Sequence, residues 1–238
     1  MYLYQSALYV LIRGIKMPDT TIKDVDYTPA TEGKTAIFRS LVGEKAPVFL
    51  SRSTTGEVSL DDYLGQWVML FFHPADFTPV CTSEFVRLAQ RKSEFDALNT
   101  QLIGISVDSI YAHMAWVRWM EEHYNIKIDF PIVEDVSMTI ARAYGLINDD
   151  SNSTSGARAC CFINPQGAIE AKIHYPMQLG RSVDELLRVQ KALIEIEKTG
   201  MTCPVDWQDG GRMLDYPAED MRQMEGDWLQ QSMKNFDF

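Results

Sequence analysis

Apolar and polar positions divide the middle of the chain into distinct elements. Trp67 to His73 is an apolar run closed by a histidine, and Leu102 to Val107 is a second such run. Runs without polar alternation predict strands buried on both faces. Pro74 and Pro79 interrupt the pattern, and Phe85, Leu88, Ala89, Phe95 and Leu98 then recur at helical spacing. Met114, Trp116, Val117 and Met120 predict a helix over 109–124. Phe130 to Val133 reads as a short strand and 136–144 as a short helix. Arg158 to Ile163 and Ala168 to His174 read as a hairpin joined by the turn Asn164-Pro165-Gln166-Gly167. Residues 182–198 carry Val183, Leu186, Leu187, Val189, Leu193 and Ile194, an amphipathic helix. The order is strand, helix, strand, helix, strand, helix, hairpin, helix. It predicts an α/β fold with a central mixed sheet, mostly parallel, flanking helices and an antiparallel pair at its end.

On either side of this block the periodicity fades. Met1 to Ile12 is apolar and tyrosine-rich, followed by Arg13 and Lys16, with no acid before Asp19. A secretory signal places its charge first and a small-residue cleavage site after the apolar part, and a transit peptide is richer in Arg and Ser. Residues 1–40 therefore read as an N-terminal extension, with Met17 as a second candidate start. Residues 41–198 read as one folded domain. The segment 199–238 has weak periodicity and several Gly and Pro, and reads as an arm rather than a domain.

Composition narrows the partners. The 238 residues are 46% hydrophobic, enough for one full-sized core. The net charge of −11 repels phosphate backbones and no Lys/Arg run supplies a basic patch, so no nucleic-acid partner is expected. No apolar run is long enough to span a bilayer, so no membrane partner is expected either. The acidity gathers in residues 204–238, with eight acids against three bases. Four cysteines, Cys81, Cys160, Cys161 and Cys203, are too few for a secreted disulfide scaffold. The absence of C-x-x-C removes the usual zinc-ribbon and dithiol pairs. Scattered thiols in an acidic chain fit a reducing, cytoplasmic location. His113, His123 and His174 lack metal-like grouping and read as solvated or structural, so neither a metal nor another cofactor is expected.

One thiol has a distinctive place. Cys81 follows a buried strand and opens a helix, where backbone N–H groups stabilise negative charge and so favour thiolate. A lone cysteine is more often a buried structural residue. Here Pro74, Thr78 and Pro79 predict a rigid polar turn rather than a core slot. Cys160 and Cys161 sit at alternating apolar positions of one strand and read as packing residues; adjacent cysteines rarely bridge.

The stretch His73-Pro-Ala-Asp-Phe-Thr-Pro-Val-Cys-Thr-Ser-Glu84 holds P-x-x-x-T-x-x-C, with Pro74, Thr78 and Cys81, followed by T-x-E. It resembles the active-site signature of peroxiredoxins of the AhpC/TSA family. Leu41 to Pro47, Gly156 to Ala159, Phe162 to Gly167, Tyr175 to Arg181 and Leu187 to Gln190 resemble further segments of that family. The element order is also that of a thioredoxin-like fold with an insertion. The resemblance implies a thiol peroxidase acting on hydrogen peroxide and organic hydroperoxides. Cys81 is then the nucleophile, and Thr78 hydrogen-bonds at the thiolate and peroxide. Arg158 stabilises charge on the breaking O–O bond, Pro74 closes the pocket, and Glu84 holds a guanidinium in place. Taken singly, Thr78 reads first as a helix cap, Glu84 as a surface acid and Arg158 as a strand-end charge; their coincidence with Cys81 favours the site. His73 reads evenly as a pocket-tuning group or a satisfied strand-end histidine.

His73 and Ala112-His-Met-Ala-Trp116 are similar to the one-Cys subfamily. Thr202-Cys-Pro-Val-Asp-Trp207 instead resembles the C-P-x-x-W segment that carries the resolving thiol of two-Cys members. That likeness implies Cys203 as resolving cysteine, thioredoxin or an equivalent dithiol protein as reductant, and a homodimer that can build into a ring. Cys203 read by itself is an incidental loop thiol. After Gly210-Gly211 the tail departs from the family pattern. Two other readings compete: a disulfide oxidoreductase, disfavoured because Glu84 rather than Cys stands three residues after Cys81, and a redox-sensing or holdase-like protein on the same fold.

Overall fold

The computed structural model describes residues 41–147, 158–215 and 228–234. The N-terminal extension, the start of the Gly156–Ala159 segment and most of the acidic tail beyond Asp215 lie outside the described residues.

Among the described residues, seven strands form one sheet in the order β2-β1-β5-β4-β3-β6-β7. β3 (Trp67–Phe72), β4 (Thr100–Ser106) and β5 (Ile132–Glu134) are parallel neighbours. β6 (Ala159–Ile163) runs antiparallel to β3 and pairs with β7 (Ile169–His174). The hairpin turn closes as the sequence indicates, with the Asn164 Oδ1 accepting from the N–H groups of Gln166 and Ala168. The pattern did not reveal β1 (Leu50–Ser53) and β2 (Gly56–Ser59). They are four residues each and mostly polar, so they carry no apolar run. Their turn leaves a trace only in Gly56, at φ +118°.

The helices are α1 (Pro79–Ala97), α2 (Ile110–Tyr124), α3 (Thr139–Ala143), α4 (Val183–Thr199) and α5 (Trp228–Met233). Their ends have local causes. Pro79 occupies the first position of α1, where a missing N–H costs nothing. Ser109 and Ser182 accept from the N–H groups of Ala112 and Glu185 at the starts of α2 and α4. Asn125 and Gly200, both left-handed, end those two helices.

Strand alternation sends side chains into two cores. Val68, Leu70 and Phe72 of β3, with Ile103, Ile105, Cys161 and Tyr144, fill one. Met69 and Phe71, with Leu102, Cys160, Phe162, Phe85 and Trp116, fill the other, beneath α1, α2 and α4. Gly104 permits this packing: a Cβ there would lie 3.0 Å from the Phe85 ring and 3.3 Å from the Phe71 ring.

The start of the expected arm packs on its own chain. Trp207 is buried, its carbonyl accepts from Arg188 of α4 at 3.3 Å, and Asp209 pairs with Lys191 of α4 at 2.9 Å. These contacts tie Trp207 and Asp209 to α4 of the same chain. Among the described residues no helix is long and apolar enough to cross a membrane.

Candidate active site

Cys81 is the third residue of α1 and is fully buried. The turn does not keep it out of the core, contrary to the expectation from Pro74, Thr78 and Pro79. Its helix position turns it inward among Phe85 and Cys160. What separates it from a packing thiol is a cation. Arg158 precedes β6 and has the parity of Cys160 and Phe162, so it faces the same core. Its Nη2 donates to the Cys81 Sγ at 3.4 Å.

Glu84 lies one turn from Cys81 and is buried beside it. It accepts from Arg158 Nη1, and from the backbone N–H, Nε and Nη2 of Arg181 at 2.7, 2.9 and 2.7 Å. Arg181 also donates to the carbonyls of Phe72 and Ala159, which ties it to β3 and β6. Two buried guanidiniums and one carboxylate leave one positive charge uncompensated. The Cys81 sulfur lies beside that excess charge, within reach of the Arg158 N–H. Glu84 is therefore not a surface acid, nor Arg158 a strand-end charge. Arg181 carried no expected role. It lay within the Tyr175–Arg181 resemblance, but only the fold brings it to Glu84, across 97 residues.

The loop between β3 and α1 frames the sulfur. Pro74 is buried. Thr78 does not cap the helix with its side chain; its hydroxyl donates to the Ala75 carbonyl at 2.9 Å. That leaves the oxygen lone pairs of Thr78 as acceptors at the helix start. Phe77 between them has φ +54°, a costly conformation for a bulky residue.

His73 is fully buried, with Nε2 2.9 Å from Asp76 Oδ1, and the other Asp76 oxygen lies 2.7 Å from His113 Nδ1. Burial holds His73 below its ordinary pKa, outweighing the pull of Asp76. Burial pushes Asp76 upward, but its two histidine bonds bring it below the usual carboxylate range. His113 is thus structural rather than solvated, and its grouping with His73 and Asp76 corrects the expectation that it has none. Sequence spacing gave no signal, because Asp76 and His113 are 37 residues apart. His123 stacks on Trp119 and His174 is exposed, as expected. The three buried ligand atoms lie within 4.8 Å of one another, the spacing of a metal site. The outer bonds do not fit one: His73 Nδ1 and His113 Nε2 have no partner, and metal binding would force protons onto both.

All four cysteines are free. Cys160 faces the Cys81 core and Cys161 the opposite one, as packing residues. Burial raises the Cys160 pKa and pushes Cys161 to about 12, so both are neutral thiols. Cys203 is half-buried on the segment after α4. Burial raises its pKa and Arg188 partly offsets this.

A sulfur that faces a fixed cation at a helix start is equipped to displace an oxygen leaving group that carries charge away. The class this defines is a thiol peroxidase. Residues 42–172 match the AhpC/TSA family. The chain is 43% identical over 169 residues to Peroxiredoxin 2 of Thermoplasma acidophilum, covering 71% of this chain and 84% of that protein. It is 42% identical over 182 residues to a peroxiredoxin of Aquifex aeolicus, covering 76% and 82%. The yeast mitochondrial 1-Cys peroxiredoxin superposes with TM-score 0.71 at 33% identity, over 82% of this chain and 93% of that one. Reduced 2-Cys peroxiredoxin of Plasmodium vivax gives 0.67 at 35%, over 74% and 93%. The chain belongs to the AhpC/TSA family: it is a peroxiredoxin, with a thioredoxin-like fold and thiol peroxidase activity. These relatives favour the enzyme over a sensor or holdase on the same fold.

Proposed function

We propose that Cys81 is the peroxidatic residue and that Arg158, Thr78, Pro74 and Glu84 assist it in the roles their positions suggest. The observation that carries this is the Arg158 N–H donated to a fully buried Cys81 sulfur. The thiolate attacks one oxygen of hydrogen peroxide or an organic hydroperoxide. An S–O bond forms, the O–O bond breaks, and hydroxide or alkoxide leaves and takes a proton from solvent. Arg158 stabilises the charge spread over the breaking bond. Thr78, its own proton committed to Ala75, accepts from the peroxide O–H. Pro74 covers the sulfur against water. Glu84 fixes the Arg158 guanidinium, and Arg181 fixes Glu84.

The sulfenic acid then condenses with a thiol and releases water. In this reading the thiol is Cys203 of the partner subunit, residues 199–238 form the dimerisation arm, and thioredoxin or another dithiol protein reduces the disulfide. Support comes from the C-P-x-x-W resemblance and from the half exposure of Cys203. The yeast relative is described as resolved through glutathione and thioredoxin systems. The free thiols suit a reducing cytoplasm. The test is one equivalent of peroxide added to reduced protein, followed by a non-reducing gel and disulfide mapping. A Cys81–Cys203 link between chains supports the cycle. A monomeric oxidised product with Cys203 free refutes the Cys203 step while leaving Cys81 in place.

A further inference from the structure

We propose that Asp76, clasped between His73 and His113, is a positioning residue for the peroxidase reaction. It fixes the loop 74–78 so that Thr78 and Pro74 meet the peroxide at Cys81. The inference rests on the reading of Cys81, Thr78 and Pro74 given above.

The loop does not hold its own shape. Phe77 takes a left-handed backbone conformation that its bulk disfavours, and it is 55% exposed, with ring contacts to Trp116 and Trp119 at 6.4 and 6.5 Å on one side. Asp76, its neighbour, supplies the missing restraint. Its Oδ1 binds His73 at the end of β3, and its Oδ2 binds His113 of α2. Its backbone N–H donates to Asp108 Oδ2 at 2.8 Å, and Ser106 Oγ donates to that same Asp108 oxygen at 2.9 Å. One residue thereby ties the loop to a strand, a helix and the β4–α2 connection. The residue before it, Ala75, is the one whose carbonyl takes the Thr78 proton. Displacing Asp76 displaces the acceptor that orients Thr78.

Proton placement explains why an acid is needed here. Asp76 accepts on both oxygens, so each ring donates to it from one nitrogen. The remaining nitrogens, His73 Nδ1 and His113 Nε2, are buried without a hydrogen-bond partner, and His73 lies against Phe85 and Trp116 with ring centroids 4.7 and 5.3 Å away. An asparagine at 76 offers one acceptor and one donor. One ring must then either move its proton to a buried nitrogen that has no acceptor or give up its bond to residue 76.

The test follows two reactions of the same sulfur in the full-length reduced protein. One is the single-turnover rate with hydrogen peroxide. The other is the rate of Cys81 alkylation by iodoacetamide, which needs thiolate and access but no peroxide geometry. Misplacing reacting groups by an ångström costs up to ~100-fold. Asp76→Asn and His113→Leu are expected to slow the peroxide reaction by ~10–100-fold, with alkylation changed by less than about threefold. His113→Asn places an amide N–H where the Nδ1–H stood, and is expected to restore most of the peroxide rate. The proposal is overturned if Asp76→Asn and His113→Leu react with peroxide at the parent's rate. It also fails if both rates change by one factor, or alkylation accelerates, because the site has then collapsed rather than lost its aim. His113→Asn as slow as His113→Leu overturns it too. A Cys81→Ser protein that still consumes peroxide sinks the underlying site assignment instead, so the two failures are distinct.

Discussion

Replacing Glu84 with glutamine tests whether the buried ion cluster, rather than Cys81 alone, makes the site reactive. The carboxylate accepts one bond from Arg158 and three from Arg181, and all three side chains are buried. Glutamine keeps the volume and one acceptor oxygen. Its amide group meets a guanidinium donor to donor, and two cations remain with no anion between them. Removing one member of a buried ion pair costs ~3–5 kcal/mol, and the retained oxygen puts Glu84→Gln near the lower end. Arg181 keeps its bonds to the Phe72 and Ala159 carbonyls, so the loss falls on Arg158. Arg158 then retains the Met177 carbonyl at 3.2 Å and the sulfur. A preorganised cationic donor contributes ~3–4 kcal/mol to the transition state, so Arg158→Met should lose about 10²–10³-fold in peroxide rate. A misaimed donor should lose part of that, about tenfold to a hundredfold for Glu84→Gln. Urea unfolding and stopped-flow peroxide reaction measure the two effects. The double variant adds a sharper condition: if Glu84 acts through Arg158, adding Glu84→Gln to Arg158→Met should change the rate little further. Parental stability together with a parental rate in Glu84→Gln refutes the reasoning. Full additivity of the two rate losses refutes the coupling.

Cys81→Ser should abolish peroxidase turnover while its circular dichroism and unfolding curve stay near the parent's, because a hydroxyl is far too weakly acidic to replace the thiolate; substantial residual turnover removes Cys81 from the chemistry. Cys203→Ser should keep the first peroxide turnover but lose the peroxide-induced covalent dimer and thioredoxin-dependent cycling, and normal cycling in that variant would make the enzyme one-Cys in practice. His73→Gln tests the pH dependence of folding. Burial, aided by the nearby charges of His113 and Arg181 and opposed by Asp76, lowers the His73 pKa in the fold. Below the ordinary pKa near 6.5 the unfolded chain takes up a proton that the folded chain refuses, so stability falls as pH falls, by at most about 1.4 kcal/mol per pH unit. Glutamine retains an N–H toward Asp76 and does not titrate, so unfolding midpoints between pH 6.5 and 5 should slope less steeply; an unchanged slope assigns the dependence to other groups.

The parts legible in sequence are those whose physics is local. β3 and β4 announce themselves because burial on both faces demands an unbroken apolar run. The hairpin announces itself through Pro165 and Gly167. β1 and β2 escape because they are short, mostly polar strands at one end of the sheet and have little to bury. Strand parity also carries more than it reveals at first. Residues 69, 71 and 73 of the β3 register share a face, as do 158, 160 and 162 around β6, and the pairing of Phe72 with Ala159 sets His73 opposite Arg158. Parity alone therefore puts His73, Arg158 and the Cys81 helix on one side of the sheet. It does not show Arg181, which enters from a loop, or His113, which arrives on a helix whose histidine reads as an ordinary polar residue. Long-range pairs of buried charges leave no periodic trace, because each partner's code is complete only when the other is adjacent.

Burial of Cys81 was the feature least visible in the sequence, and it constrains the catalytic cycle. A small peroxide can approach a covered sulfur through a minor opening, whereas a second protein thiol needs the sulfur brought out. The bonds to be broken are few. Thr82 donates to the Thr78 carbonyl from both its backbone N–H, at 2.9 Å, and its hydroxyl, at 2.7 Å, and Pro79 offers no N–H at all. Helix ends open at far less cost than helix middles. The cluster of Glu84, Arg158 and Arg181 then has two duties that oppose each other. In the cycle proposed above, a thiolate at Cys81 completes the charge of the cluster and holds the first turn of α1 closed. Oxidation to a neutral sulfenic acid removes the completing charge and leaves the cluster one positive charge in excess. The same step that finishes the peroxide reaction thus weakens the electrostatic reason for the turn to stay shut, which is when a resolving thiol needs access.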